Sequence, residues 1–223
     1  MASAPKRDKI IEAFLALLAE KPFGRIGLAA VADRAGVSLA DLRAEFGSTF
    51  DMLAAFMRET DRKVLAGGDP ELAEAPARER LFDVLMRRIE TLKPQREAVR
   101  SLARSVRRDP TLAMGLNRLA LRSQQWMLAA AGIDSAGLRG RVRAQGLVVV
   151  FARALRVWFH DEDPGLARTM AALDRELASG ERMLNLLDDL CRLLPRCGGR
   201  RRKARFDRGH DGSGAASAET IPV

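Results

Sequence analysis

Two groups of residues in this 223-residue sequence have the types that metal or redox chemistry requires. Residues 160–163, His-Asp-Glu-Asp, combine a histidine with carboxylates, and Cys191 lies close to Cys197. The acidic run falls at an expected helix junction, where caps and solvated turns explain it, and the cysteines lack zinc-site spacing. Cys191 and Cys197 are typical of ordinary free thiols in a reducing cytosol, and the alternative is a redox-active pair. The sequence contains no glycine-rich phosphate-binding loop and no Ser/His/Asp arrangement typical of a catalytic triad. It therefore predicts no catalysis, no cofactor and no metal site.

The most informative segment, residues 26–46, predicts two short helices joined by a tight turn. In the first helix, apolar residues recur at the spacing of one buried face: Leu28, Val31 and Ala32. Gly36 stands where that helix must stop, because glycine enters positive φ at little cost. Ser38 is placed to cap the second helix. The pattern is typical of a helix-turn-helix, whose second helix can enter the major groove of DNA.

The net charge of +9 is unevenly distributed along the chain. Residues 1–60 contain eight basic and eight acidic side chains, whereas from Arg192 onward eight basic side chains stand against three acidic ones. Asp41 and Glu45 lie in the second helix of the pair, where DNA contact would favour cations. Because phosphate neutralisation supplies much of the affinity for DNA, the neutral N-terminal end weakens the electrostatic case for DNA binding.

Proline and glycine residues separate a series of helical patterns, and the sequence predicts an all-α protein. Besides the pair within 26–46, the expected helices cover about 6–20, 49–66, 77–92, 95–108, 110–131, 135–160 and 164–194, the last interrupted near 179–180. Asp134 or Ser135 is expected to cap one helix, and Asp163 with Pro164 to start another. The chain has no uncharged apolar stretch of about 18 residues and no signal-peptide core at its start, so a cytoplasmic protein is expected.

The N-terminal pattern resembles the TetR family of one-component transcriptional regulators. The resemblance covers about a quarter of the chain, residues 8–57, and its most specific part is Ala32-Asp-Arg-Ala-Gly-Val-Ser38. It implies a homodimer that binds a palindromic double-stranded DNA operator and is released by a small apolar effector. It also implies a DNA-binding head over 1–48 and a helical ligand-binding and dimerisation bundle over 49–194. The basic and Gly/Ser/Ala-rich composition of residues 195–223 predicts a disordered basic tail.

The same resemblance suggests which residues contact DNA. The family usually has a tyrosine late in the recognition helix and a lysine at the start of the fourth helix, and both touch phosphates. Here Arg43 and Thr49 stand at those positions, and the chain contains no tyrosine. A guanidinium binds phosphate well, so Arg43 can replace the tyrosine contact. The predicted DNA-contacting residues are Lys6, Arg7, Arg25, Ser38, Leu39, Ala40, Arg43 and Thr49.

A pocket between bundle helices is a usual place for a ligand. Large side chains at helical spacing are the candidates for lining it, with ordinary core packing as the alternative for each: Phe82, Met86, Trp126, Met127, Phe151, Leu155 and Trp158. Few polar side chains are expected inside, namely Asn117, Gln124, Gln125 and Gln145. An apolar or amphipathic effector is therefore favoured. The helices at about 138–160 and 164–178 are the candidate dimer interface, because closed twofold assemblies dominate among oligomers. The alternative is that their apolar faces are buried within the subunit.

A second resemblance concerns the stretches 145–158 and 163–177, which are similar to the end of ubiquinone-biosynthesis lipid-binding proteins. Those proteins have a TetR-type fold without reading DNA. This resemblance implies the alternative of a lipid- or quinone-pathway protein with a peripheral membrane contact through residues 181–205. An apolar stripe from Glu181 to Leu194, followed by a basic cluster over 200–205, is the two-signal pattern for an anionic surface. Two other interpretations of this segment are a helix packed in the bundle with a solvated tail, and a tail that binds DNA non-specifically.

Overall fold

The computed structural model of the chain describes residues 3–193. This range contains nine α-helices and no β-strand, which confirms the all-α prediction. The helices are α1 (Ser3–Glu20), α2 (Leu28–Ala35), α3 (Leu39–Glu45), α4 (Thr49–Ala66), α5 (Ala77–Leu92), α6 (Arg96–Val106), α7 (Pro110–Ala130), α8 (Gly137–Trp158) and α9 (Ala167–Leu193). Short 3-10 turns at Phe23–Arg25, Pro70–Leu72 and Lys93–Gln95 lie between them.

The chain divides into two units, Met1–Leu186 and Leu187–Val223. Of the second unit, the structure describes the helical residues 187–193 at the end of α9. All packing reported below belongs to the first unit. The predicted basic tail over 195–223 lies outside the described residues.

The turn between α2 and α3 has the geometry that its residues predict. Gly36 adopts φ 63° and ψ 38°, the left-handed region that costs other residues a Cβ clash. The following Val37 N–H donates to the Ala32 carbonyl at 3.0 Å, which closes the end of α2. Ser38 then caps α3, because its Oγ accepts from the Asp41 N–H at 3.0 Å. These local interactions confirm the helix-turn-helix.

Four local predictions are wrong, each for a physical reason. Leu28 is exposed rather than on the buried face of α2, because it begins the helix ahead of Val31 and Ala32. The N-cap of α8 is Ala136, without a side-chain cap. Asp134 instead accepts from the Ala136 N–H at 2.8 Å.

The other two errors concern the last helix. Asp163 does not start a helix with Pro164, since α9 begins at Ala167 after Leu166 takes a positive φ of 56°. Asp163 instead accepts from the N–H groups of Gly165 and Ala167, both at 3.1 Å. No interruption occurs at residues 179–180. A helical glycine costs about 1 kcal/mol, and burial of Leu173 and Leu177 on the same helix outweighs this cost.

Two apolar cores hold the first unit together. One lies among α1 to α4 and includes Phe14, Leu42 and Leu53, together with Leu102 of α6 and Leu112 of α7. The other is formed by apolar side chains from α4, α5, α7, α8 and α9. Because α6 and α7 contribute to the N-terminal core, these helices join the helix-turn-helix to the bundle.

Helix α6 is held by polar contacts at both of its ends. Ser101 Oγ donates to the Lys21 carbonyl at 3.1 Å, and Ser105 Oγ accepts from the Phe23 N–H at 3.0 Å, so one end is bonded to the chain that follows α1. At the other end, Arg96 donates to the Asp161 carbonyl at 2.6 Å, and Arg100 donates to the Phe159 carbonyl. These guanidinium groups satisfy carbonyls at and beyond the C-terminal end of α8.

Candidate functional site

Helix α3 presents an exposed face next to its buried one. Leu42 fills the N-terminal core, whereas Leu39 is 56% exposed and Ala40 and Arg43 are also exposed. Ser38 is exposed beside them at the start of the helix. The predicted contact residues of α3 are therefore accessible to a partner molecule.

The acidic residues of α3 are neutralised by cations of α1. Lys6 Nζ donates to Asp41 Oδ1 at 2.7 Å, and Ser38 Oγ donates to Asp41 Oδ2 at 2.9 Å. The Lys6 hydrogen bond is the main reason that the pKa of Asp41 lies below its usual value. Arg7 lies 3.6 Å from a Glu45 carboxylate oxygen, and its guanidinium stacks 4.4 Å from the centre of the Phe46 ring. The two carboxylates expected to repel DNA are thus each paired with a cation.

The remaining predicted DNA-contacting residues are Arg43, Arg25 and Thr49. Arg43 and Arg25 are exposed, and within residues 3–193 neither takes part in an ion pair. Thr49 is half-buried at the first position of α4, which Ser48 caps by accepting from the Asp51 N–H at 3.1 Å. Arg43 is therefore the cation that α3 leaves available for an external anion.

A cavity of about 340 Å³ lies among α4, α5, α6, α7 and α8. Its walls are mainly apolar and include Leu53, Phe56, Leu92, Val99, Leu102, Leu116, Phe151 and Leu155. Such a volume is at the small end of the range for ligand pockets. Leu102 also belongs to the N-terminal core, so α6 contacts both the cavity and the core beneath the helix-turn-helix.

The structure places two of the seven predicted pocket residues, Phe151 and Leu155, in the cavity wall. The other five lie outside it. Met86, Met127 and Trp158 are buried in the bundle core, and Phe82 packs against that core. Trp126 is 60% exposed on α7. Helical spacing identified the buried faces of the helices. It could not distinguish core residues from cavity-lining residues, because both are apolar and the difference depends on how neighbouring helices pack.

A cluster of polar side chains in and beside the cavity wall was not predicted as a group. The Arg88 side chain of α5 forms a buried ion pair with Asp61 of α4, and Ser123 Oγ of α7 donates to Asp61 Oδ1 at 2.7 Å. Gln124, which was predicted from the sequence to be an internal polar residue, is also buried and lines the cavity. Asn117, predicted together with it, also lines the cavity, although it is exposed and bonds the exposed Gln145 at 3.1 Å.

The acidic run at 160–163 is explained by local structure. Asp161 is buried and accepts from the Thr169 hydroxyl at 2.6 Å and from the Thr169 N–H at 2.8 Å. The hydroxyl hydrogen bond is the largest cause that holds the pKa of Asp161 below its usual value. His160 Nδ1 lies 3.0 Å from the Arg156 carbonyl. The side chains of His160 and Asp161 therefore stabilise the connection between α8 and α9 through local hydrogen bonds.

The predicted membrane-contacting segment is described only in part. Residues 194–205, which include the basic cluster, lie outside the described residues, and so does Cys197. No helix within residues 3–193 is long and apolar enough to cross a membrane.

Comparison with solved structures identifies the fold. The chain is similar to a TetR transcriptional regulator from Nitrosomonas europaea, with a TM-score of 0.63 and 22% identity over 80% of this chain and 99% of that one. A TetR regulator from a Rhodococcus species gives a TM-score of 0.55 and 20% identity over 83% and 99% of the two chains. A TetR-family regulator from Streptomyces coelicolor gives 0.50 and 14% over 86% and 99%. No protein-family model and no curated protein matches the sequence. The chain therefore has the fold of TetR-family transcriptional regulators.

Proposed function

We propose that this protein is a one-component transcriptional regulator of the TetR type. It binds a palindromic operator as a homodimer through α3 of each subunit, and a small effector in the bundle cavity releases it. The observation that carries the proposal is the position of α6, which lines the cavity with Leu102 and is bonded to the chain after α1 through Ser101 and Ser105.

DNA recognition by α3 combines base and phosphate contacts. The exposed Leu39 and Ala40 suit apolar contact with thymine methyl groups in the major groove. Arg43 supplies a phosphate contact in place of the usual tyrosine, and its charge is not offset by an ion pair within residues 3–193. Lys6 and Arg7 act indirectly, because they neutralise Asp41 and Glu45.

The homodimer is supported by an exposed apolar face on α8. Leu138 is 79% exposed, and Val142 and Val149 follow it at four and eleven residues, on the same side of the helix. Met170 of α9 is also exposed. A second copy of this chain would bury this face and would place two α3 helices on successive half-sites.

Effector release follows from the packing of α6. A ligand that fills the cavity presses on Val99 and Leu102 and displaces α6 relative to α1. Because α6 is bonded to the chain after α1, a shift at the cavity moves the head, and the two recognition helices lose their half-site spacing.

Operator selection by footprinting and gel shift tests the proposal. The full chain is expected to prefer a palindrome in its own promoter region over random duplex, with affinity that falls as salt rises. Arg43→Ala should weaken operator binding about tenfold and reduce the salt slope by about two, one for each subunit. Arg122→Ala is the matched control, because this substitution removes the same charge from an exposed position on α7. Equal binding to operator and random duplex at every salt concentration would overturn the proposal.

A further inference from the structure

We propose that the cavity takes an anionic amphiphile, with its apolar tail inside and its anionic head where Arg107 and Arg156 line the wall. This inference rests on the proposed function, because it names the effector class of the same cavity. It begins from the ionisable side chains of the wall, which within the described part of the chain are all arginines: Arg88, Arg107 and Arg156. No aspartate or glutamate among the described residues lines the cavity.

Two of these arginines lie where the cavity opens to solvent. Arg107 is the C-cap of α6, and Arg156 lies in the last turn of α8. Both line the cavity and are exposed, and Asn117 and Ala152 share these two properties. A side chain that lines a cavity and also contacts solvent belongs to its mouth. A head group that stays at the mouth keeps part of its hydration and lies within reach of a guanidinium.

The three arginines differ in whether their charge is already neutralised. Arg88 is buried and paired with Asp61, so it adds no net charge to the cavity. Neither Arg107 nor Arg156 has an ion pair or a side-chain hydrogen bond within the part of the chain that the structure describes. Asp109, two residues after Arg107, caps α7 by accepting from a backbone N–H at 3.0 Å and does not line the cavity. The cavity wall therefore has an excess of two positive charges.

The interior of the cavity suits an apolar tail. Leu53, Leu92 and Phe151 line it and are at most 7% exposed. The hydroxyls of Thr60 and Ser123, which also line it, each donate to an oxygen of the protein, at 3.0 and 2.7 Å. Transfer of an apolar chain from water to such a wall is favourable, and the volume of about 340 Å³ limits the occupant to a small molecule.

The charge at the mouth selects the head group of the ligand. A guanidinium binds a carboxylate or a phosphate through two parallel hydrogen bonds, and it repels a cation. One of the two arginines is sufficient as the bonding partner, since the other still raises the local positive potential. Because both side chains are exposed, water screens their charge, and each is expected to contribute about threefold to the affinity for an anion.

Calorimetric titration of the full chain with eight-carbon probes tests this inference. Octanoate carries a negative charge, octanol none and octylammonium a positive one, whereas the tail is the same. Octanoate is expected to bind about tenfold more tightly than octylammonium, with octanol between them, and the difference should shrink as salt rises. Octyl phosphate, compared with octanoate, identifies the preferred anionic head. Octanol or octylammonium binding that equals octanoate binding, or no binding of any probe, would overturn the inference.

Arginine variants test where the head group lies. Arg107→Gln and Arg156→Gln should each lower the ratio of octanoate to octylammonium affinity about threefold, and the double variant about tenfold. Arg104→Gln is the matched control, because Arg104 is exposed on α6 one turn before Arg107 and does not line the cavity. It should leave the ratio unchanged. An equal fall in Arg104→Gln and Arg107→Gln, or an unchanged ratio in the double variant, contradicts the inference.

Gel shifts on the same preparations separate the two proposals. Octanoate should release the operator from the unsubstituted chain and should be needed at higher concentration with the double variant. Operator binding by a protein that does not prefer octanoate overturns the effector class alone. Octanoate preference in a protein that ignores its operator overturns the proposed function and keeps the cavity specificity.

Discussion

The ion pair between Arg88 and Asp61 yields a quantitative prediction about stability. Both residues are buried, and they join α5 to α4 beside the cavity. Arg88→Met would leave the Asp61 carboxylate buried, with Ser123 as its one remaining hydrogen-bond donor among residues 3–193. Removal of one partner of a buried pair costs about 3–5 kcal/mol, because the other charge loses both water and counterion. We expect a loss of that size in the free energy of unfolding.

Urea unfolding followed by far-ultraviolet circular dichroism measures this loss. With a denaturant slope of about 1–3 kcal/mol per molar urea, the midpoint should fall by at least about 1 M. The double variant Arg88→Met with Asp61→Leu should recover most of the loss, since an apolar replacement of the whole pair is often neutral. A double-mutant cycle from these variants and Asp61→Leu then gives the coupling between the two side chains.

An exposed ion pair on α4 provides the control. Arg62 Nη2 lies 2.7 Å from Glu59 Oε1, and its side chain is largely exposed. Arg62→Met should leave the midpoint unchanged, because water screens an exposed pair. If Arg88→Met unfolds at the same urea concentration as Arg62→Met, the argument from burial is refuted.

Three further predictions concern separate parts of the molecule. Gly36→Ala should lower the free energy of unfolding by about 1 kcal/mol in the same urea assay, because its φ is 63° although space for a Cβ is open. Asp161 has a lowered pKa, so its stabilisation is present above the ordinary value of 3.8 and is lost as pH falls through the lower folded value. Unfolding midpoints of Asp161→Asn should therefore depend less on pH in the acid range, and an unaltered acid slope would contradict this. The proposed homodimer predicts that the full chain sediments as a dimer in analytical ultracentrifugation and that Val142→Arg sediments as a monomer, and a dimer that survives would exclude the α8 face as the interface.

Much of the helical layout could be predicted from the sequence, because the signals that end helices are local. Pro110 after Asp109 begins α7, and the structure shows Asp109 accepting from the Leu112 N–H at 3.0 Å. The same reasoning failed at Asp163, where the carboxylate caps a turn before Ala167. A capping side chain can satisfy either of two nearby sets of N–H groups, and tertiary packing of the following helix decides between them.

The cavity shows where prediction from the sequence stopped. Apolar periodicity marked Phe151 and Trp158 alike as inward-facing, yet Phe151 lines the cavity and Trp158 lies in the core. The ion pair beside the cavity was harder to predict, since Asp61 and Arg88 are 27 residues apart and each has the sequence context of a solvated charge. Their burial depends on α4, α5 and α7 coming together.

The sequence alone determined the helix-turn-helix, because glycine's access to positive φ at Gly36 and the hydroxyl cap at Ser38 act within a few residues. It also determined that the N-terminal segment has no net charge. The consequence of that charge balance depends on the fold, in which Lys6 and Asp41, 35 residues apart in sequence, form an ion pair while Arg43 stays exposed. Local conformational preferences are encoded in neighbouring residues, whereas burial and charge pairing depend on distant segments that meet only in the folded chain.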